Sequence, residues 1–123
     1  PFPNRLQKIY DDMMELIEEY QPDAISIEEL FFNTNTTTAI GVAQGRGAVL
    51  IAASKTQTPI YEYTPLQVKQ SVTGYGRADK KQVQAMVKAV LKLDKIPKLD
   101  DTTDAMALAI CHAHSARFAE PIK

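Results

Sequence analysis

The sequence predicts an α/β domain with a partly parallel sheet. Three observations lead there. Two short apolar runs, in "DAISIEELFF" and "TPIYEY", have the length and composition of strands. A long stretch of small residues with helical character joins them. Helical spacing of apolar residues precedes the first run and follows the second.

The elements can be justified in chain order. "RLQKIYDDMMELIEEY" places Leu6, Ile9, Tyr10, Met13, Ile17 and Tyr20 at helical spacing over a charged reverse face. Pro22 follows its end. Ala24, Ile25 and Ile27 then form a short buried-type strand that runs into Glu28 and Glu29. "NTNTTT" supplies cap and turn residues, and the chain continues as a helix to about Lys55. "TPIYEY" is the second strand. Thr64-Pro65 is an N-cap with proline in the first helical position, opening a short helix through Lys69. "TGYGRAD" is a glycine-bearing loop. "KKQVQAMVKAVLKL" is amphipathic, with Val83, Met86, Val87, Val90 and Leu91 on one side. After the linker "DKIPKLDD", the last helix starts near Asp101.

A two-stranded sheet is unusually small. The sequence therefore reads as a single partial domain over residues 1–123, one that lacks an opening hairpin or pairs its strand edges with another chain. No internal repeat or low-complexity tract interrupts it.

Composition is that of an ordinary globular domain, with 45% hydrophobic and 24% charged residues. A single cysteine, Cys111, excludes an intrachain disulfide and fits a reducing cytosol. The net charge of −1 hides a segregation. Arg5 to Glu29 holds eight acidic residues against two basic ones, and Lys69 to Lys98 holds eight basic against two acidic. Such a chain either carries two solvated helix faces of opposite sign or presents a positive face to a polyanion.

The stretch "KLDDTTDAMALAICHAH" sets acids ahead of a small apolar helix. Asp101 and Asp104 are three apart and share a helix face. They either cap the helix or hold a metal ion with a partner carboxylate. Glu28 is the candidate partner, because it ends a strand at the edge where α/β sheets bind ligands. Glu29 faces the other way, and Asp100 reads as solvent-exposed. Cys111, His112 and His114 lack the second Cys/His pair that structural zinc needs. "GVAQGRG" matches no phosphate-loop pattern, and its glycines suggest close packing against another backbone. Of Phe31 and Phe32, one can be core and the other exposed to stack on bases.

Together, "ISIEELFF", "YEYTPLQVKQSVTGYG", "KKQVQAMVKAVLKL" and "DDTTDAMALAICHAH" resemble the RuvC family of Holliday-junction resolvases in order and spacing over nearly the whole chain. The resemblance implies a ribonuclease-H-like fold, here N-terminally truncated with about two of the sheet strands. It also implies a bacterial, cytoplasmic homodimer that uses Mg²⁺, two ions per site, to nick two strands of like polarity at a four-way DNA junction. RuvA and RuvB branch-migration proteins are implied partners. By motif position, Glu28, Asp101 and Asp104 would be catalytic metal ligands. Phe31 would sit near the junction centre, and Lys69 and Lys80 would contact DNA and the scissile phosphate.

The sequence departs from that pattern in three places. It contains no Asp-Pro-Gly, the strand-borne motif whose aspartate would complete the carboxylate set. Thr102 and Thr103 stand where small alanines are usual, and Gly45 stands where alanine is more frequent. The resulting expectation is a fragment or shortened form of a junction endonuclease, inactive by itself. Two rival readings are a non-catalytic DNA-binding or self-associating module and another ribonuclease-H-like nuclease.

Overall fold

The structure, a computed structural model, describes residues 2–29 and 36–122. In chain order its elements are α1 (Phe2–Tyr20), β1 (Ile25–Glu28), α2 (Thr36–Lys55), β2 (Ile60–Tyr63), α3 (Pro65–Thr73), α4 (Lys80–Leu91) and α5 (Asp100–Ser115). The two strands pair directly. Ile25 N–H donates to the Pro59 carbonyl and Glu29 N–H to the Tyr63 carbonyl, both at 2.9 Å. The offset between partners is the same at both ends, so the strands run parallel. β1 is half-buried with Glu28 exposed, whereas β2 buries Ile60 and Tyr63.

The chain divides into two compact units. One contains α1, the start of β1, α2 and the start of β2; the other contains the remainder of both strands with α3, α4 and α5. In the first unit α1 packs on α2. Ile17 of α1 and Ala48, Ala52 and Ala53 of α2 are buried. Helix α1 ends where Gln21 turns left-handed at φ 45° and returns its N–H to the Ile17 carbonyl at 2.8 Å. Pro22 cannot extend the ladder.

Within the chain, the glycines of α2 do not meet the close backbone that the sequence suggests. A Cβ on Gly41 or Gly47 would meet nothing within 4 Å. On Gly45 it would meet the tip of Ile9 at 3.6 Å, an ordinary contact. Among the described residues, no backbone approaches these positions closely enough to demand glycine.

The second unit is built on a core of Val72, Val87, Ala107 and Ile110, with Val68, Val83, Leu93 and Met106 packed against it. Burying a valine or isoleucine of this kind contributes about 1.5–3 kcal/mol. Helix boundaries here follow capping chemistry. Thr64 and Gln67 form a reciprocal capping box around Pro65. Helix α3 runs past Lys69 to Thr73, because Val72 continues the buried stripe and the first left-handed stop is Gly74 at φ 80°. Asp79 and Gln82 form a second capping box that starts α4 at Lys80. Lys92, left-handed at φ 56°, ends α4.

Candidate active site

The second unit carries a concave depression of about 300 Å³. Glu28 comes from the end of β1, Lys69 from α3, Lys80 from the first position of α4, and Asp104 from α5. Ala107 and Leu108 of α5, with Val68 and Val83, form its apolar wall, and Thr103 lines it beside them. The depression therefore gathers three carboxylates, counting Asp79 at the N-cap of α4, and two ammonium groups. Lys69 is half-buried, whereas Glu28, Lys80 and Asp104 are exposed.

Helix α5 opens without a side-chain cap. Its N-cap is Leu99, which makes no capping hydrogen bond, and Asp100 and Asp101 occupy the first turn. Negative charge there complements the positive end of the helix dipole. The capping-box alternative for Asp101 and Asp104 thus finds no hydrogen bond to carry it. Asp101 is exposed in the first turn and is not among the residues lining the depression. Asp104, one turn on, lines it.

Lys80 links the N-termini of α4 and α5. Its Nζ lies 3.3 Å from Asp100 Oδ2 and 3.7 Å from Asp104 Oδ2. The hydrogen bond to Asp100 holds the ammonium above the usual lysine pKa, against a smaller opposing desolvation, and the charges of Asp104, Asp100 and Asp101 add to the shift. Gln84 Nε2 also donates to Asp100 Oδ1 at 3.2 Å. All three charged groups are more than half exposed, so solvent screens the pairs and leaves Lys80 easy to redirect.

Asp100 is thus exposed, as the sequence suggests, and is also the nearest anion to Lys80. Its role was hidden in the sequence because it depends on two helix starts meeting. The Asp79–Gln82 capping box, which the reading of the sequence did not pick out, sets the start of α4 at Lys80. Phe31 falls outside the described residues.

The donor chemistry suits a hard divalent cation. Mg²⁺ is typically held by one or two carboxylates together with waters and substrate phosphates, and Glu28 and Asp104 line one depression. Among the described residues, no three His, Cys, Asp or Glu side chains form a group that could hold a metal ion. Asp79 also lines the depression, but its carboxylate accepts from Gln82 N–H as the α4 cap, which leaves Glu28 and Asp104 for the two-carboxylate pattern. Cys111 and His112 are otherwise engaged. The Cys111 thiol is buried and its pKa is pushed up by that burial, while His112 Nδ1 lies 2.6 Å from the Tyr63 hydroxyl.

No helix among the described residues is long and apolar enough to cross a membrane. Comparison with known proteins shows the family. Residues 1–112 match the family model described as crossover junction endodeoxyribonuclease RuvC. The crossover junction endodeoxyribonuclease RuvC of Alkaliphilus metalliredigens (strain QYMF) is 62% identical over 116 residues, covering 94% of this chain and 71% of the relative. That of Desulfitobacterium hafniense (strain DSM 10664 / DCB-2) is 62% identical over 115 residues, covering 94% and 70%. A Thermus thermophilus RuvC structure superposes with a TM-score of 0.91 at 37% identity, covering 99% of this chain and 75% of that one. T. thermophilus RuvC in complex with a Holliday junction substrate gives 0.94 at the same identity and coverage. The fold is accordingly ribonuclease-H-like, of the RuvC type. By its family match and by its relatives, the chain belongs to the RuvC family of crossover junction endodeoxyribonucleases.

Proposed function

We propose that these residues form most of the catalytic site of a Mg²⁺-dependent endonuclease that resolves four-way DNA junctions by paired nicks, in recombination and repair. The observation that carries this reading is the meeting of Glu28, Asp104, Lys69 and Lys80 around one depression in a RuvC-family chain. The junction complex of the T. thermophilus relative supports the substrate.

In this reading Glu28 and Asp104, joined by Asp101, hold two Mg²⁺ ions. When bound, Mg²⁺ activates water for in-line attack and offsets the charge that develops on the leaving 3′ oxygen. The chain's own residues prepare that chemistry. Lys80 exchanges its exposed contacts with Asp100 and Asp104 for an oxygen of the scissile phosphate. Lys69, on α3, neutralises phosphate charge from the neighbouring wall. Phe31 stacks on bases at the branch point.

Paired nicking needs two sites, which a homodimer supplies. Ile40 and Ile51 support self-association through α2: they lie about three helical turns apart on one face and are exposed. The 123 residues act as one partial ribonuclease-H-like domain in the bacterial cytoplasm, with RuvA and RuvB as partners. They contain no Asp-Pro-Gly, and by themselves they do not cut.

A chimera tests the reading. The Asp-Pro-Gly strand that the family resemblance implies, taken from the Alkaliphilus metalliredigens relative, is placed before Pro1. In Mg²⁺ this chimera nicks a synthetic four-way junction symmetrically and spares linear duplex of the same sequence, while the 123-residue chain nicks neither. A chimera that cuts duplex as readily as junction, or that cuts without a divalent cation, overturns it.

A further inference from the structure

Ser26 lies two residues before Glu28 on β1, so the two side chains share a face of the strand. Its hydroxyl donates to the Leu108 carbonyl of α5 at 2.8 Å, across 82 residues of sequence and in a part-buried setting. Leu108 is one helical turn beyond Asp104, and Glu28, Asp104 and Leu108 all line the depression. The β1–β2 ladder fixes β1 against β2. The serine bond fixes β1 against the helix that carries the other carboxylate.

We propose that Ser26 is a positioning residue, whose hydroxyl sets the register between the strand end bearing Glu28 and the helix bearing Asp104. The bond is not needed to satisfy the carbonyl. Leu108 sits inside α5, where the helical ladder already uses its oxygen, and the hydroxyl takes the second lone pair. An alanine would leave no buried group unpaired, so polar satisfaction alone gives no reason for serine. Placement does. Mg²⁺ demands near-ideal octahedral geometry, and productive sites hold their groups to within about 0.5 Å. A tie two residues from Glu28 and one helical turn from Asp104 is well placed to provide that tolerance.

The inference rests on the reading that Glu28 and Asp104 share a divalent cation, and its test separates the two. Mn²⁺ binding to the 123-residue chain is followed by loss of the free-ion EPR signal. Wild type is compared with Ser26→Ala, Ser26→Thr, Ser26→Val and Glu28→Gln, each with its thermal midpoint. Threonine and valine have the same shape and suit a strand, so they differ only in the hydroxyl. Ser26→Ala and Ser26→Val weaken Mn²⁺ binding about tenfold, the low end of outer-shell losses. Ser26→Thr restores the affinity, and the midpoints of Thr and Val variants stay alike. If Ala and Val variants bind as wild type while Glu28→Gln does not, Ser26 has no positioning role and the site reading stands. If Glu28→Gln also binds as wild type, the site reading fails and takes this inference with it. Loss of affinity shared equally by Thr and Val variants overturns the hydroxyl's role.

Discussion

The Tyr63 hydroxyl of β2 lies 2.6 Å from Nδ1 of His112 on α5, with the Tyr61 ring packed 4.3 Å from the same imidazole. Tyr63 is buried, and that burial is the largest cause raising its phenol above the ordinary value, with the charges of Cys111 and Tyr61 adding. Replacing Tyr63 with phenylalanine removes the bond and lowers stability by about 1 kcal/mol in denaturant unfolding. The phenol also sets a pH limit. A folded-state pKa raised above the unfolded value gives stability that is full below about pH 10 and is lost as pH rises through the folded value. The wild type therefore loses stability above about pH 10 more steeply than Tyr63→Phe, measured as unfolding midpoints against pH.

Thr103 lies between Asp101 and Asp104 in sequence and is almost fully buried, and its hydroxyl has no hydrogen-bond partner among the described residues. An unpaired buried hydroxyl costs stability, and an apolar group of the same shape removes that cost. Thr103→Val is expected to raise stability by about 1 kcal/mol, read as a higher denaturant midpoint at unchanged slope. A lower midpoint would mean the hydroxyl has a partner in solution.

Lys69 and Lys80 reach the depression from α3 and α4. If each contacts one phosphate, Lys69→Ala and Lys80→Ala each weaken junction binding across sequences and lower the slope of log affinity against log salt by about one. Binding measured by fluorescence anisotropy between low and moderate salt checks this. A slope unchanged by both substitutions would place the phosphates elsewhere.

Much of this was legible before any coordinates. The parallel pairing of β1 with β2 follows from a helix between two short apolar runs. The start of α4 follows from the amphipathic run "KKQVQAMVKAVLKL", which opens at Lys80. Other features were not legible, for physical reasons. The reach of α3 to Thr73 depended on Val72 finding a core built from α4 and α5. The lack of a cap at Leu99 was masked by three nearby acids that all suit a helix start. Gly45 suggested a close backbone approach, yet among the described residues of this chain it faces the tip of Ile9. The Ser26–Leu108 bond joins segments whose proximity no local pattern encodes.

The central claim is that Glu28 and Asp104 serve one cation site, and a double-mutant cycle tests it most directly. Junction nicking by the chimera is measured for Glu28→Gln, Asp104→Asn and the double variant over a range of Mg²⁺. Residues acting as a unit give a double variant scarcely worse than either single one. Losses that multiply, as for independent sites, would contradict it.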